Sequence, residues 1–287
     1  MLLLKSFIFC RDRFFKPFCL SLNMGRSIGV LSLKGGVGKT SSVIALGYAF
    51  SELGKRVLLV DANFSAPNLG LHLNVLDPDH TLHSVLESSS NLSDAIYPLG
   101  QLDLLPASIF GRRDLNYFKL RDKIKPLKRK YDVILLDSSP ALNEETFAVM
   151  KASDELLIVT TPDLPTLGIT LKAVRLVKRV GIPVAGLILN KVHKKDFELS
   201  LEEIEEVVEV PVMAVIPHDV RVLKSLSEFS SPFEKASSKL KEEYMKLAAM
   251  LVGHKYESPK FKRMLSRFFR PQKQEINRTV YYERVFK

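Results

Sequence analysis

The sequence predicts an α/β fold, a doubly wound domain on a mostly parallel sheet. Three observations carry this. From Ile28 onward, short apolar runs alternate with stretches whose apolar residues recur at helical spacing, the mark of repeated strand–helix units. A glycine-rich turn, Lys34 to Thr40, joins the first run to the first helical stretch. Two further runs end in an aspartate, Asp61 and Asp137, and open α/β sheets place ligands beyond the carboxyl ends of their strands. With 287 residues, 46% of them hydrophobic, the chain can bury a sizeable core as one large domain or two small ones. No repeat, low-complexity linker or domain break precedes about Gly253, so residues 27–253 read as one domain.

Residues 1–26 are an extension to it. They mix Leu2 to Leu4, Phe7 to Phe9, Phe14 and Phe15 with Lys5, Arg11, Arg13 and Lys16. No apolar segment among them is long enough for a signal sequence or a membrane span. Two readings stand: translation starts at Met24, directly before the first strand, or the segment is a basic, aromatic surface anchor. Both cysteines, Cys10 and Cys19, lie here and form no CxxC, which supports neither a disulfide framework nor an iron–sulfur site and fits a reducing cytosol.

Strands are expected at 28–33, 56–61, 102–105, 132–137, 155–160, 184–189 and 212–215. Helices are expected at 39–53, 80–87, 115–130, 143–152, 166–180, 200–208, 219–227 and 235–252. His80 and His83 could share a helix face, but no third metal ligand is nearby.

The turn after the first strand reads Lys34-Gly-Gly-Val-Gly-Lys-Thr40. Gly35, Gly36 and Gly38 can take backbone angles closed to other residues, so their N–H groups can turn inward around an anion that the helix N-terminus also attracts. Lys39 supplies a point charge for the β- and γ-phosphates, and the Thr40 hydroxyl is placed to ligate Mg²⁺. The pattern GxxxxGK[ST] is met in part: Gly38, Lys39 and Thr40 match its end, while Leu33 stands where its first glycine belongs. The nucleotide-binding stretch is taken as Lys34, Gly35, Gly36, Val37, Gly38, Lys39, Thr40 and Ser41.

The second strand ends at Asp61, followed by Ala-Asn-Phe-Ser-Ala-Pro-Asn-Leu-Gly70. On its own, Asp61 is as suited to cap the next turn as to act on a nucleotide. Tyr131-Asp-Val-Ile-Leu-Leu-Asp137, then Ser138-Ser-Pro140, is an apolar strand with a terminal, metal-directed carboxylate. The Asn190-Lys191 pair closes another strand, where a cap and a solvated lysine would also explain it, and Val215-Ile-Pro-His-Asp219 follows the last.

KGGVGKT is a deviant Walker A loop, and with these acid-tipped strands the chain resembles the MinD/ParA group of P-loop ATPases, within the SIMIBI type of P-loop NTPase fold. The likeness covers roughly residues 27–250. It implies that Lys34, the signature lysine, reaches across an ATP-bound homodimer to the partner's phosphates. It also implies that Asp61 and Asp137 act on Mg²⁺ with Thr40, and that Ser138, Ser139 and Pro140 form a turn sensing the γ-phosphate. Asn190 would bond the adenine edge, Lys191 would lie near the ring, and Pro217 and Asp219 would belong to a loop closing over it. The Thr-Thr-Pro-Asp163 turn fits the family's register and is assigned no chemistry.

One departure matters. The second acid of the family's DxDxxxPxLG segment, which positions or activates the attacking water, is Asn63 here. An amide orients water but takes no proton. The sequence therefore predicts slow hydrolysis and a long-lived ATP state, with Lys34, Lys39, Asp61 and Asn63 as the catalytic set.

Net charge is +10, from 42 Lys and Arg against 32 Asp and Glu, and the excess lies at the two ends of the chain. In the basic tail, 254–287, the stretch Pro259 to Arg270 places Phe261, Met264, Leu265, Phe268 and Phe269 on one helical face and its cations on the other. Such a helix, near 260–270, reads as an interfacial anchor for an anionic membrane. MinD-type proteins end in one, so the resemblance implies a peripheral location on the inner face of the cell membrane, an unidentified protein partner, and a role in division or in placing a cellular machine. Packing of that helix on the body or on a partner is the alternative. Binding of the tail to DNA, as in a ParA-like partitioning ATPase, and a non-hydrolysing ATP-sensing scaffold are the rival functions. Lipid is preferred over DNA because phosphate binding needs no phenylalanine face. Residues 271–287 carry no readable signal.

Overall fold

A computed structural model describes residues 24–111, 115–227, 232–254, 256 and 271–286. Eight strands form one sheet in the order β3-β4-β2-β5-β1-β6-β7-β8. They are β1 (Arg26–Leu31), β2 (Val57–Ala62), β3 (Tyr97–Pro98), β4 (Asp103–Leu105), β5 (Val133–Ser138), β6 (Glu155–Thr160), β7 (Val184–Val192) and β8 (Val212–Pro217). Pairing is parallel throughout except at the edge, where the two-residue β3 runs antiparallel to β4. All residues of β1, β2, β5 and β6 are buried, because helices cover both faces; this is why these strands read as continuous apolar runs and not as alternations.

The helices are α1 (Lys39–Glu52), α2 (Leu69–His72), α3 (Leu82–Leu86), α4 (Leu120–Leu127), α5 (Glu144–Ala152), α6 (Leu164–Val180), α7 (Leu201–Val208), α8 (Val220–Ser227), α9 (Pro232–Lys235), α10 (Ser238–Leu251) and α11 (Lys273–Phe286). One core cluster packs Val43, Leu46 and Phe50 of α1 with Tyr244 and Leu247 of α10. The cluster on the other face joins Ile124 of α4, Val149 of α5, Val174 of α6 and Ile204 of α7. Side-chain caps start several helices: Asn143 for α5, Asp163 for α6, Ser200 for α7 and Ser237 for α10.

The expected helix at 115–130 is shorter and begins differently. A 3₁₀ turn at Tyr117–Lys119 leads into α4, which ends at Leu127 and contains Pro126, so the Asp122 carbonyl receives no N–H from four residues on. His80 and His83 diverge: the His80 ring bonds Ser90, while the buried His83 ring accepts the Ser108 N–H.

The expected anchor helix at 260–270, with Phe261, Met264, Leu265, Phe268 and Phe269, lies outside the described residues, as do residues 1–23. The stretch that follows it forms α11, which packs on β8 and α10. Arg278 bonds Glu243 at 3.1 Å and the Met213 carbonyl at 2.8 Å. Asn277 bonds Glu205 at 2.6 Å and the Val212 carbonyl at 2.8 Å. Lys273 pairs with Glu205 at 3.1 Å, and the Tyr281 hydroxyl donates to Glu155 at 2.6 Å. Two of the tail's cations, Lys273 and Arg278, are therefore engaged by carboxylates of the body.

Candidate nucleotide site

The chain runs from β1 outward to β2 and β4, returns to β5 beside β1, then crosses to β6, β7 and β8. The strand order therefore reverses around β1 and β5, and the crevice beyond their carboxyl ends is where such sheets take ligands. The Lys34–Thr40 turn fills that position. A cavity of about 300 Å³ opens there, lined by Lys34 to Ser41, Asn63, Pro140, Asn190, Lys191, Pro217, Asp219 and Tyr244 among others.

Gly36 and Gly38 hold the left-handed conformation, with φ of 75° and 92°; Gly35 does not. A Cβ at Gly35 or Gly36 would meet nothing within 4 Å, so the backbone there faces open space wide enough for phosphate oxygens. Gly38 is different. A Cβ there would lie 2.2 Å from the Asn190 amide nitrogen. Asn190 Nδ2 donates to the Val37 carbonyl at 2.7 Å and Lys191 Nζ to the Gly36 carbonyl at 2.7 Å. These two residues, expected at the adenine, brace the loop from β7 in this structure. The buried Val37 side chain pins its centre. Behind it, Ser42 donates to the Gly38 carbonyl and receives the Tyr244 hydroxyl, both at 2.9 Å, which fixes α1 to α10.

Lys39 and Thr40 converge on Asp137. Lys39 Nζ is in direct contact with one carboxylate oxygen, and the Thr40 hydroxyl donates to the other at 2.7 Å. Asp61 stands beside Asp137 in register on the paired strands β2 and β5. It is fully buried and accepts the N–H groups of Asn63, Asn68 and Leu69 at 3.2, 3.1 and 2.9 Å. Asp61 thus accepts the N–H groups at the start of α2 and stands beside Asp137 on the neighbouring strand. Burial, reinforced by the Asp137 charge, pushes its carboxyl up to about 7.

Asn63 lies 4% exposed at the cavity, its Nδ2 donating to the Ala66 carbonyl at 2.5 Å while its buried Oδ1 has no partner. Thr40, Asp61 and Asp137 offer oxygen donors, which suit a hard, partly hydrated cation such as Mg²⁺, and the Asn63 amide oxygen is left unpartnered at the same cavity.

Lys34 Nζ reaches Thr166 Oγ1 at 2.5 Å and Asp163 at 3.4 Å, so the signature lysine rests on the cap of α6. The sequence reading gave Asp163 no role. Its Asp-x-x-Thr spacing, an N-cap pattern, was the available signal. Hydroxyl and amide donors from Thr161 and Thr166, with Lys34 beside them, outweigh desolvation and depress the Asp163 carboxyl to about 2. The Asp219 carboxylate is likewise engaged within the protein, by Arg221 and by the Ser237 N–H at 2.8 Å, and sits at about 2, while Pro217 lines the cavity. Ser139 and Pro140 follow β5, where Thr146 of α5 donates to the Ser139 carbonyl. Ser65, just past Asn63, donates to Glu145 of α5 at 3.2 Å and so ties the segment after β2 to the one after β5.

A phosphate loop on the first strand, a lysine and hydroxyl meeting a strand-end aspartate, and a parallel sheet reversing at that point define a P-loop nucleotide-binding protein. A family model described as an AAA domain matches residues 25–180. An uncharacterized ATP-binding protein of Methanocaldococcus jannaschii is 32% identical over 241 residues, covering 82% of this chain and 90% of that protein. The septum site-determining protein MinD of Pyrococcus horikoshii, solved in complex with Mg-ADP, superposes with a TM-score of 0.73 at 33% identity, covering 79% of this chain and 96% of its own. The cell division ATPase MinD of Pyrococcus furiosus does so with a TM-score of 0.73 at 36% identity, covering 78% and 97%. The chain belongs to the MinD/ParA family of deviant Walker A P-loop ATPases.

Proposed function

We propose that this chain binds Mg-ATP, dimerises across Lys34 and hydrolyses the nucleotide slowly, acting as a timed spatial switch at a membrane. The observation that carries the reading is the convergence of Lys39 and Thr40 on Asp137 beside the open backbone of Gly35 and Gly36. Thr40, Asp137 and Asp61 would hold the magnesium, which when bound supplies charge neutralisation at the phosphates. Lys39 exchanges its aspartate contact for phosphate oxygens. Asn63 orients a water through its free Oδ1 without accepting its proton, and this supports slow turnover. Lys34 leaves Thr166 and Asp163 when a partner's phosphates compete for it.

The 260–270 segment supplies the membrane contact. One short amphipathic helix binds weakly, and two held together by dimerisation bind far more tightly through effective concentration. An amphipathic helix lies in the plane of the interface, so attachment of this kind would be peripheral, at the inner face of the cell membrane. A protein partner whose placement the switch controls completes the scheme. Co-sedimentation with anionic vesicles tests the reading: binding should require ATP and magnesium and be lost in Phe268→Glu. Vesicle binding indifferent to nucleotide would refute the switch. The orphaned Asn63 amide favours one second reading, an ATP-sensing scaffold without turnover, and measured phosphate release separates the two.

A further inference from the structure

The amino ends of the strands, opposite the nucleotide, carry a second cavity of about 230 Å³. At 3.3 Å per residue the six residues of β1 put about 20 Å between the two cavities. Arg121, Lys125 and Lys128 line it from α4 and its following turn, at the i, i+4, i+7 spacing that aligns side chains on one helical stripe. Lys151 enters from the last turn of α5. One carboxylate faces these cations, Asp154, and it is already saturated. It takes Lys128 at 2.7 Å on both oxygens, the Ser27 N–H at 2.8 Å and the Ser27 hydroxyl at 3.1 Å. Arg26, also at the cavity, is matched by Glu155 at 2.7 Å. Arg121, Lys125 and Lys151 form no ion pair among the described residues. Three charges with no paired carboxylate among the described residues thus converge on one concave site, with Lys119, Lys123, Arg129 and Lys130 beside it in sequence.

Both basic, aromatic segments of the chain join the domain at this same end. Residues 1–23 connect at Met24, which lines the cavity. The 257–270 segment departs just past Gly253, whose Cα faces the Phe286 ring; that ring lies 5.8 Å from the Arg26 guanidinium, which in turn bonds the Leu251 carbonyl at 2.6 Å. Cations on a concave folded surface, at the end of the domain where Met24 and Gly253 lie, match the charge of an anionic bilayer surface, and the sequences that adjoin those two residues are rich in Lys, Arg and Phe.

We propose that this cavity is a headgroup site for anionic lipid, so that the folded domain, and not the tail alone, reads the charge of the membrane. The proposal rests on the membrane reading above, and it names residues that reading does not need. Each basic residue near such a surface contributes about fivefold in affinity, so Arg121→Gln/Lys125→Gln/Lys151→Gln should weaken binding of the full chain to phosphatidylglycerol-containing vesicles on the order of a hundredfold. Equilibrium ATP binding should be unchanged, which also verifies the fold. Binding to pure phosphatidylcholine vesicles should be equal for wild type and variant. If the triple variant binds anionic vesicles like wild type while Phe268→Glu does not, the headgroup site is refuted and the tail anchor stands. If neither protein nor ATP produces vesicle binding, both fail. If the triple substitution removes binding to random duplex DNA and leaves vesicle binding intact, the face serves nucleic acid and the proposal is overturned. Competition by millimolar glycerol phosphate equal to that by vesicles would make it a soluble-anion site and overturn it as well.

Discussion

Gly38→Ala puts the architecture of the phosphate loop to a quantitative test. Gly38 sits at φ 92° and ψ 29°, and a side chain in the left-handed region costs about 1–2 kcal/mol. The added methyl would also lie 2.2 Å from Asn190 Nδ2, so the amide must swing away and give up its 2.7 Å bond to the Val37 carbonyl. Leaving a buried carbonyl unpaired costs about 1–3 kcal/mol more. The two effects sum to about 2–5 kcal/mol, concentrated in the loop that must present its N–H groups to phosphate. Urea unfolding of the single variants and of Gly38→Ala/Asn190→Ala forms a double-mutant cycle. The clash vanishes in the double variant and the φ strain remains, so the coupling should be about 1–3 kcal/mol in the rescuing direction. Additivity within experimental error, or a Gly38→Ala protein as stable as wild type, would refute the close packing of β7 on the loop.

Asn63→Asp should raise ATP turnover, by up to about 10²–10⁴-fold if general-base help is what the chain lacks; single-turnover phosphate release that does not increase would remove that explanation of slow hydrolysis. In metal-free buffer, the raised Asp61 carboxyl makes the folded state bind a proton more tightly than the unfolded chain, so its contribution is lost as pH rises from about 4 to about 7. Asp163 and Asp219, both at about 2, act the other way, giving stability that is present above about pH 4 and lost as pH falls towards 2. Urea midpoints measured with EDTA should therefore decline between pH 4 and 7, and Asp61→Asn should flatten that limb; a slope unaltered by the substitution would contradict the assignment. Arg278→Ala should destabilise by up to about 3 kcal/mol, because Glu243 is left buried with only the longer contact to Lys246 at 3.8 Å, whereas Arg278→Met/Glu243→Leu should come closer to wild type. Equal losses in the two would show the pair is not the source of the effect.

Strand positions were legible because burial on both faces writes them as unbroken apolar runs: 132–137 against Val133–Ser138, and 155–160 against Glu155–Thr160. The phosphate loop and its two aspartates were legible because their chemistry fixes residue type and spacing together. Other features leave no such imprint. The two-residue β3 is too short for any period to show. The buried face of α11 consists of Gln274, Asn277, Arg278 and Tyr281, so its docking is specified by hydrogen-bond partners far away in sequence and looks like a solvated helix when read alone. The convergence on Asp154 is of the same kind, since Lys128 and Ser27 come from opposite ends of the first half of the chain. The sequence showed its excess charge at the two ends of the chain, and only the fold shows Arg121 and Lys125 of α4 meeting Lys151 of α5 in one hollow.

The docking of α11 changes how the acidic residues of the domain should be regarded. Glu155, Glu205 and Glu243 are all buried, and each draws a proton donor or a cation from that single helix. A chain cut at Gly253 would take a partner from each of three interior carboxylates, leaving Glu155 to Arg26, Glu205 to the Val212 N–H and Glu243 to Lys246 at 3.8 Å, and would untie Tyr281 from Arg26 at the root of the strand that feeds the phosphate loop. That helix is thus the keystone of the acidic interior, tying the stretch beyond Gly253 back to the start of β1.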